Sequence, residues 1–402
     1  MRRWLLPIAL LAAVWAGGAR AEQASGDGGV SSFYRWTGDV PAQPGKLLRA
    51  EPLEPALGLP NAGRQMRILY SSTDGIDGKA PTVVSGMLFL PKGDPPPGGW
   101  KLVAWAHGTT GLADVCAPSW MGVSSRDKSY LGAWLDQGWA IVATDYQGLG
   151  TAGPHPYLLT RPEAYSVLDS IRAVRGDGFG IANAVVLAGQ SQGGGAAFGT
   201  AGFAPDYAPD IDVKGTVATG VPFITPVVLK APPGSGQDPS KPNRTFAYYL
   251  YIALTAPLVD PNVTAESLIT EKARPALAQA GKTCIWTMFK IVTQDGLNTA
   301  NGLTPDYGKA FANALPAMEY KTLALKQPVF IGTGTNDHDV PPALQLALAK
   351  QACAAGTTVQ AHLYEGLDHS ETVNASLKDS LPFMRKVFAG EPITPVCTPE
   401  PQ

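Results

Sequence analysis

Apolar residues alternate with polar ones, or form short unbroken runs, at several places along the chain. Such patterns over roughly 4 to 8 residues are typical of strands. They predict four opening strands at QMRILYSS, TVVSGMLFLP, KLVAWAHG and WAIVATDYQG. Later strands are expected at AVVLAG, DVKGTVATGVP, QPVFIGTGTNDHDVPP and TTVQAHLYEGLDH.

Helical patterns lie between these strands. In RPEAYSVLDSIRAVRG, Pro162 stands near the start and Gly176 at the end, and apolar or aromatic residues recur at Tyr165, Leu168, Ile171, Ala173 and Val174. Further helices are expected at KSYLGAWLDQG, directly after Ser191, at ALQLALAKQACAAG and near residues 383–388. This alternation predicts an α/β fold with a mainly parallel sheet, helices on both faces and right-handed crossovers. Ligands of such sheets gather at the carboxyl ends of the strands.

The alternation stops between residues 222 and 326, where the chain has proline-broken helical patterns such as FAYYLYIALTAPLV. We therefore expect a helical cap at 222–326, inserted into a core made of residues 22–221 and 327–402. The run APPGSGQDPSKPN is expected to be a loop of this cap. The Gly- and Pro-rich residues 22–64 are expected to wrap the surface before the first strands.

The first 21 residues have the three parts of a signal peptide: a basic MRR, the apolar WLLPIALLAAVWA and the small-residue site ARA. Cleavage is expected before Glu22. The alternative is a membrane anchor, but about a dozen apolar residues fall short of the roughly 20 that a span needs. We expect no transmembrane segment in the mature chain and a secreted or periplasmic location.

Composition narrows the class of protein. The chain has 402 residues, of which 45% are hydrophobic and 16% charged, as in globular proteins with a large core. Removal of Arg2, Arg3 and Arg20 leaves 28 basic against 33 acidic residues, a formal charge of −5, which gives no support to a nucleic-acid partner. The four cysteines of an exported chain favour two disulfides over free thiols. Their spacing lacks the C-x-x-C of zinc sites, and we expect no metal or cofactor.

The segment VVLAGQSQGGGAA carries the candidate nucleophile. It fits the pattern G-x-S-x-G from Gly189 to Gly193, with a predicted strand before it and a predicted helix after it. The expected structure is a strained turn that exposes the Ser191 hydroxyl beside backbone N–H groups at a helix N-terminus. The alternative is a glycine-rich packing or phosphate-binding loop. A Walker loop would need G-K-[ST], which is absent, and a dinucleotide loop normally follows the first strand.

A serine hydroxyl needs a base and an orienting acid, and this fold has them in the chain order Ser, Asp or Glu, His. His369, just after the last predicted strand, is the favoured base. His362, within that strand, and His155, in a proline-flanked loop expected at the mouth of the site, remain as alternatives.

The acid is expected after the preceding strand. Asp337 comes first there and is preferred. Asp339 fits better as a turn or helix-cap residue, and Asp368 as a solvent-facing loop charge.

Attack by serine creates an oxyanion that needs preorganised donors. The backbone N–H of Gln192, the residue after the nucleophile, is expected to be one donor. The second is assigned to Thr109 or Thr110 in the loop WAHGTTGLADVC. His107 is expected only to support this loop by hydrogen bonding.

Several motifs together resemble the α/β-hydrolase superfamily and, within it, the secretory lipase family of the lipase A type, known from yeasts and with bacterial relatives. They are CAPS at 116–119, ATDYQGLG at 143–150, YSVLDSIRA at 165–173, GQSQGG, GTGTNDHDVPP and CAAGTTVQ. The resemblance implies the α/β-hydrolase fold, with Ser191, Asp337 and His369 as nucleophile, acid and base and an acyl-binding tunnel in the cap. Four cysteines permit three pairings. The resemblance implies Cys116 with Cys284 and Cys353 with Cys397.

The resulting hypothesis is an exported serine carboxylic ester hydrolase that forms an acyl-enzyme with short to medium acyl esters, small-molecule or lipid. Two alternatives are a serine peptidase or amidase of the same fold, and a catalytically silent binding protein that kept the sheet. Only residues 398–402 follow Cys397, a tail too short for an apolar flap, so we expect no strong interfacial activation.

Overall fold

Nine strands of the described residues form one continuous sheet. The computed structural model describes residues 28–176, 178–225 and 238–402. The strands are β1 Leu47–Pro52, β2 Arg64–Thr73, β3 Pro81–Leu90, β4 Trp100–Ala106, β5 Ala140–Thr144, β6 Ile181–Gln190, β7 Val213–Thr219, β8 Val329–Gly334 and β9 Val359–Tyr364. Each predicted strand corresponds to one of β2 to β9.

Thirteen α-helices occur in the same residues. They are α1 Pro118–Met121, α2 Ser125–Leu135, α3 Thr160–Arg175, α4 Gln192–Tyr207, α5 Phe246–Val259, α6 Ala265–Leu268, α7 Arg274–Ala280, α8 Ile285–Gln294, α9 Thr299–Gly302, α10 Asp306–Met318, α11 Pro342–Ala354, α12 Glu371–Ala375 and α13 Leu377–Ala389. The predicted helices correspond to α2, α3, α4, α11 and α13, and α13 is longer at its start than the pattern indicated.

The sheet is mainly parallel and has an antiparallel edge. Its strand order is β1-β2-β3-β5-β4-β6-β7-β8-β9. The pairs β1/β2, β2/β3 and β3/β5 are antiparallel, and the pairs from β5/β4 to β8/β9 are parallel. Gln190 at the end of β6 pairs with Thr219 at the end of β7, and Gly334 at the end of β8 pairs with Tyr364 at the end of β9. The carboxyl ends of these strands therefore meet at one edge of the sheet.

Helices cover both faces because the central strands are apolar on both sides. In β4, Leu102 and Ala104 pack in one hydrophobic cluster, whereas Val103 and Trp105 pack in another. Successive side chains of a strand point to opposite faces, so the sheet separates two cores. Helices α3 and α4 contribute to the first core, and α2 and α13 to the second.

One strand, β1, was not predicted from the sequence. Residues 22–64 were expected only to wrap the surface, yet β1 lies in this segment and pairs with β2. Phe33 and Tyr34, earlier in the same segment, are also buried. The strand has the sequence LLRAEP and none of its residues is fully buried. An edge strand that buries so little has no alternation of apolar and polar residues by which to recognise it.

Helices α5 to α10 lie between β7 and β8 and are called the insert below. All of them except α9 contribute to one hydrophobic cluster, which includes Phe246, Leu250 and Met288 and also Tyr157 from the loop before α3. The disulfide Cys116–Cys284 joins the insert to the loop after β4, with Cα atoms 5.4 Å apart. Most of the predicted loop APPGSGQDPSKPN lies outside the described residues.

A second disulfide links Cys353 in α11 to Cys397 in the tail. Both pairings are the ones that the family resemblance implied. No helix within the described ranges is long and apolar enough to cross a membrane. The predicted signal peptide, residues 1–21, falls outside these ranges.

Candidate active site

Ser191 forms the turn between β6 and α4. Its φ is 58° and its ψ is −126°, a combination that costs a non-glycine residue roughly 1–3 kcal/mol. The Ser191 N–H donates to the carbonyl oxygen of Thr219 at the end of β7, over 2.9 Å. The turn is thereby tied to the neighbouring strand, and the strained serine stands at the carboxyl edge of the sheet.

The glycines of the motif allow close approach of the main chain. A Cβ on Gly189 would lie 1.9 Å from the carbonyl oxygen of Gly193, and one on Gly193 would lie 1.9 Å from that of Ala106. Neither glycine has a positive φ; within the motif the positive φ belongs to Ser191 itself. The glycines are therefore required for packing of α4 against β4 and β6, and not for unusual backbone angles of their own.

Asp337 and His369 form a buried pair beyond the ends of β8 and β9. The Nδ1 atom of His369 lies 2.7 Å from Oδ2 of Asp337, and because an ionised carboxylate only accepts, Nδ1 is the donor. Asp337 also accepts the side-chain amide of Gln345 and the backbone N–H groups of Asp339 and Val340, at 2.8 to 3.0 Å. These bonds fix the carboxylate, and the carboxylate fixes the tautomer of His369.

The other ring nitrogen of His369 faces away from the acid. Its Nε2 atom is buried and has no hydrogen-bond partner among the described residues. The ring lies against Gly220, where an added Cβ would come 2.6 Å from Cε1. Gly220 directly follows Thr219, the residue that binds the Ser191 N–H. Ser191 and His369 thus contact neighbouring residues at the end of β7, and Nε2 of His369 makes no hydrogen bond with the Ser191 hydroxyl.

The predicted oxyanion donors lie on both sides of Ser191. Gln192 is the first residue of α4, so its N–H has no intrahelical acceptor. In the loop after β4, an added Cβ on Gly108 would lie 3.4 Å from the Ser191 Cβ. Thr109 follows, with its hydroxyl 2.8 Å from that of Tyr157. Thr110 instead turns toward the insert, where its carbonyl accepts the Ile285 N–H over 2.8 Å.

A buried polar group beneath Gln192 was missed in the sequence. The side-chain Nε2 of Gln192 lies 2.8 Å from Oε1 of Glu163 and 3.1 Å from Nε2 of His155. Desolvation raises the pKa of Glu163 to about 8, and burial lowers the pKa of His155 to about 4. His155 was expected at the mouth of the site and is buried instead. Glu163, in the first turn of α3, gave no signal beyond that of an ordinary helix acid.

Asp339, the second-choice acid, binds the insert. It was expected in a turn or helix cap, but its carboxylate pairs with Arg244 at 2.5 Å and accepts the Tyr248 hydroxyl at 3.0 Å. Both partners precede or begin the insert's first helix. Asp339 is therefore a link between the loop of Asp337 and the insert.

The remaining candidate residues have hydrogen-bond partners other than Ser191. Asp368 accepts the backbone N–H groups of Ser370 and Glu371 at 2.8 Å, as in a turn. His362 lies within β9, with Nδ1 2.5 Å from the side-chain amide of Gln402. His107 contacts the carbonyl of Gly108 through Nδ1 at 2.7 Å, in keeping with support of its loop. Within the described residues, no group of three or more His, Cys, Asp or Glu side chains is placed to hold a metal ion.

Comparison with known proteins identifies relatives. A sequence model of the secretory lipase family matches residues 123–231. A protein of Mycobacterium tuberculosis named probable inactive lipase is 25% identical over 381 residues, which cover 88% of this chain and 80% of that protein.

Solved structures share the fold. That of Candida antarctica lipase A superposes with a TM-score of 0.72 at 20% identity, covering 92% of this chain and 89% of the other. That of LipA, a rice cell wall degrading esterase from Xanthomonas oryzae, has a TM-score of 0.66 at 20% identity, with 86% and 98% covered. The resemblance to the secretory lipase family and the α/β-hydrolase fold are both confirmed.

Proposed function

We propose that this chain, a relative of the secretory lipases with the α/β-hydrolase fold, is a serine carboxylic ester hydrolase. The observation that carries the proposal is the His369–Asp337 pair, which follows strands that end at the same edge of the sheet as the strained Ser191. Nε2 of His369 has no hydrogen-bond partner among the described residues, Ser191 included. Nε2 of His362 is also unpartnered. His369 differs from it in the carboxylate 2.7 Å from its other nitrogen and in its place after β9, at the carboxyl edge of the sheet.

The chemistry follows the usual sequence for such a triad. The Ser191 Oγ attacks the ester carbonyl while Nε2 of His369 takes its proton, and the oxyanion accepts the N–H of Gln192. The C–O bond to the alcohol then breaks, and His369 returns the proton to the leaving oxygen. Water, deprotonated by His369, next attacks the acyl-enzyme. The bond from the acyl carbon to Ser191 Oγ breaks, His369 returns the proton to Oγ, and the acid leaves. Asp337 keeps Nδ1 protonated and stabilises the imidazolium.

The second oxyanion donor is proposed to be the backbone N–H of Thr109. Thr109 directly follows Gly108, which lies against Ser191, whereas Thr110 is one residue further on and its carbonyl oxygen accepts the Ile285 N–H of the insert. Thr110 remains the alternative donor. Thr109→Pro would remove this N–H and is expected to lower kcat by about 10²-fold or more, as loss of an oxyanion donor does elsewhere.

The acyl group is proposed to bind under a cap made of residues 222–326. The insert has an apolar cluster and reaches the site through Arg244 and Tyr248, which bind the loop of Asp337. We propose that this apolar cover binds short to medium acyl chains. Rates on p-nitrophenyl esters from acetate to palmitate test this point, and a steady rise up to palmitate would contradict it.

The triad is tested by covalent labelling and turnover together. A fluorophosphonate probe is expected to label the wild-type protein and not Ser191→Ala, and only the wild type should hydrolyse p-nitrophenyl butyrate. Hydrolysis of peptide anilides at comparable rates would favour a peptidase or amidase. A folded wild-type protein that neither reacts with the probe nor hydrolyses esters would be a binding protein that kept the fold.

Export to an oxidising compartment is proposed from the two disulfides and the N-terminal sequence. Cleavage before Glu22 is the specific expectation. N-terminal sequencing of the protein recovered outside the cytoplasm of its host tests it, and a chain that retains residues 1–21 would contradict it.

A further inference from the structure

The side chain of Gln192 is held by two acceptors. Its Nε2 lies 2.8 Å from Oε1 of Glu163 and 3.1 Å from Nε2 of His155. All three residues are about 3% exposed. A primary amide has two hydrogens, and here each of them has an acceptor of its own. Gln192 is thus attached to two other parts of the chain, α3 and the loop before it.

The orientation of the amide is fixed by the tautomer of His155. The Nδ1 atom of His155 lies 2.9 Å from the carbonyl oxygen of Gln147, which only accepts, so Nδ1 carries the proton and Nε2 is an acceptor. The Oε1 atom of Glu163 also accepts the N–H of Leu158, at 3.2 Å. Because Oε1 accepts both N–H groups, it is the carbonyl oxygen of a neutral Glu163, with the proton on Oε2. An amide that was turned over would therefore place its oxygen against two acceptor atoms. The buried site therefore permits one orientation.

This attachment acts on the residue next to the nucleophile. Gln192 follows Ser191 and opens α4, and its N–H is the proposed oxyanion donor. We propose, on the premise that the chain is the ester hydrolase described above, that Glu163 and His155 are positioning residues that hold the Gln192 N–H at the oxyanion site. Neither residue touches the substrate; both act through the Gln192 side chain.

The charge state of Glu163 links this arrangement to pH. The groups facing Glu163 are neutral at pH 7: His155, Tyr146, Tyr157 and Tyr320. Burial raises the pKa of Glu163 to about 8, so its carboxyl is mostly protonated at pH 7 and accepts through Oε1 without a charge. Above that pH a carboxylate forms one side chain away from the developing oxyanion. Like charges repel strongly in a buried site, so turnover should fall.

The experiment is the pH profile of kcat on p-nitrophenyl butyrate from pH 6 to 10, for the wild type and three variants. Glu163→Gln keeps a neutral acceptor, and Glu163→Leu removes the acceptor. Asp169→Asn is the matched control, because Asp169 is a buried acid on the same helix that binds Ser72 and Tyr207 and not Gln192.

The wild type is expected to lose kcat above about pH 8. Glu163→Gln is expected to keep its kcat above pH 8 and to have a kcat within about threefold of wild type at pH 7. Glu163→Leu should lower kcat at pH 7 by about tenfold or more with little change in KM, a part of the 10²–10³ lost when an oxyanion donor is removed. Asp169→Asn should follow the wild-type profile.

The proposal is overturned if Glu163→Gln shows the same alkaline decline as the wild type, or if Glu163→Leu keeps the wild-type kcat. If Glu163→Leu does not fold, the comparison of Glu163→Gln with the wild type still tests the proposal. Fluorophosphonate labelling separates this failure from that of the proposed function. If the wild type is labelled at Ser191 and turns over, only the positioning role is rejected; if it is neither labelled nor active, the hydrolase proposal itself fails.

Discussion

The sheet and the insert differ in what they give to the candidate site. Ser191, Asp337 and His369 all follow parallel strands of the sheet, at the ends of β6, β8 and β9. The insert supplies none of the three. It meets this edge through the disulfide Cys116–Cys284 and through Arg244 and Tyr248, which bind Asp339.

The difference indicates that the sheet positions the candidate catalytic residues and that the insert is suited to cover them. A sheet buried on both faces fixes the ends of its strands within fractions of an ångström, as a triad requires. Helices that pack mainly on one another, with a few attachments to the sheet, suit the acyl-binding cap proposed above. Substitutions in the sheet should therefore change kcat, and substitutions in the insert should change KM or stability.

The sharpest test compares two acids two residues apart. Asp337 faces His369 and Asp339 faces the insert. Asp337→Asn should lower kcat by about 10⁴-fold, because an amide can present its NH₂ to Nδ1 and reverse the tautomer of the histidine. Asp339→Asn should leave kcat within about threefold, since a pair with a half-exposed arginine contributes about 1 kcal/mol or less.

Steady-state kinetics of both variants on p-nitrophenyl butyrate make the measurement. A larger loss of kcat for Asp339→Asn than for Asp337→Asn would move the acid to Asp339. It would also contradict the expectation that substitutions facing the insert leave kcat nearly unchanged.

The two disulfides should separate stability from activity. They span 168 and 44 residues, for which the chain-entropy model gives about 5 and 4 kcal/mol. Replacing either pair by serine should lower the free energy of unfolding by about 2–5 kcal/mol in urea. Loss of Cys116–Cys284 should also lower kcat, because Cys284 bridges to Gly111 beside the Thr109–Thr110 loop. Equal kcat values for the two double variants would contradict this.

Much of the sheet and the chain order of the site follow from the sequence. Strands β2 to β9 are apolar or alternating segments, and the helices between β4 and β9 predict a mainly parallel sheet whose carboxyl ends meet. The antiparallel pairing of β2 and β3 at its edge does not follow from that pattern. Ser191, Asp337 and His369 could be selected because each directly follows such a strand. Thr109 and Thr110 could be narrowed only to a loop, since loop geometry decides which N–H faces Ser191.

The contacts of Glu163 and His155 with Gln192 could not be predicted from the sequence. Glu163 stands in the first turn of a helix, where acids are common, and His155 stands in a loop between prolines. Their meeting with Gln192 depends on how the loop before α3 packs under α4, over separations of 29 and 37 residues. No pattern in the neighbouring sequence predicts such a long-range contact. The link from Asp339 to Arg244, 95 residues apart, was missed for the same reason.

Burial of acids differs between the two regions and predicts where pH acts on stability. Glu163, on the sheet side, has its pKa raised by desolvation to about 8, from an ordinary value of 4.5. The folded state then holds a proton that the unfolded chain has lost, so stability falls as the pH rises from 4.5 to 8. Glu163→Gln should remove up to about 1.4 kcal/mol of this loss per pH unit.

Urea unfolding of the wild type and Glu163→Gln at intervals from pH 5 to 9 provides the check. Asp260, a partly exposed acid at the end of α5 whose pKa is lowered by hydrogen bonds from Asn262 and Asn313, supplies the matched control in the insert. The pH dependence of Asp260→Asn should parallel that of the wild type. Parallel curves for Glu163→Gln and the wild type would mean that Glu163 is ionised in the folded state.

The smallest effect is expected at an exposed tryptophan of the insert. Trp286 in α8 is 62% exposed, and its ring contacts that of Phe289 edge-on, with centroids 5.6 Å apart. Trp286→Ala should therefore change the free energy of unfolding by no more than about 0.5 kcal/mol, as is usual for exposed positions. Trp134, fully buried in the sheet core, is the matched control, and its replacement by alanine should cost about 3–5 kcal/mol. Urea unfolding measures both, and a loss above 1 kcal/mol for Trp286→Ala would mean that the insert packs this side chain in solution.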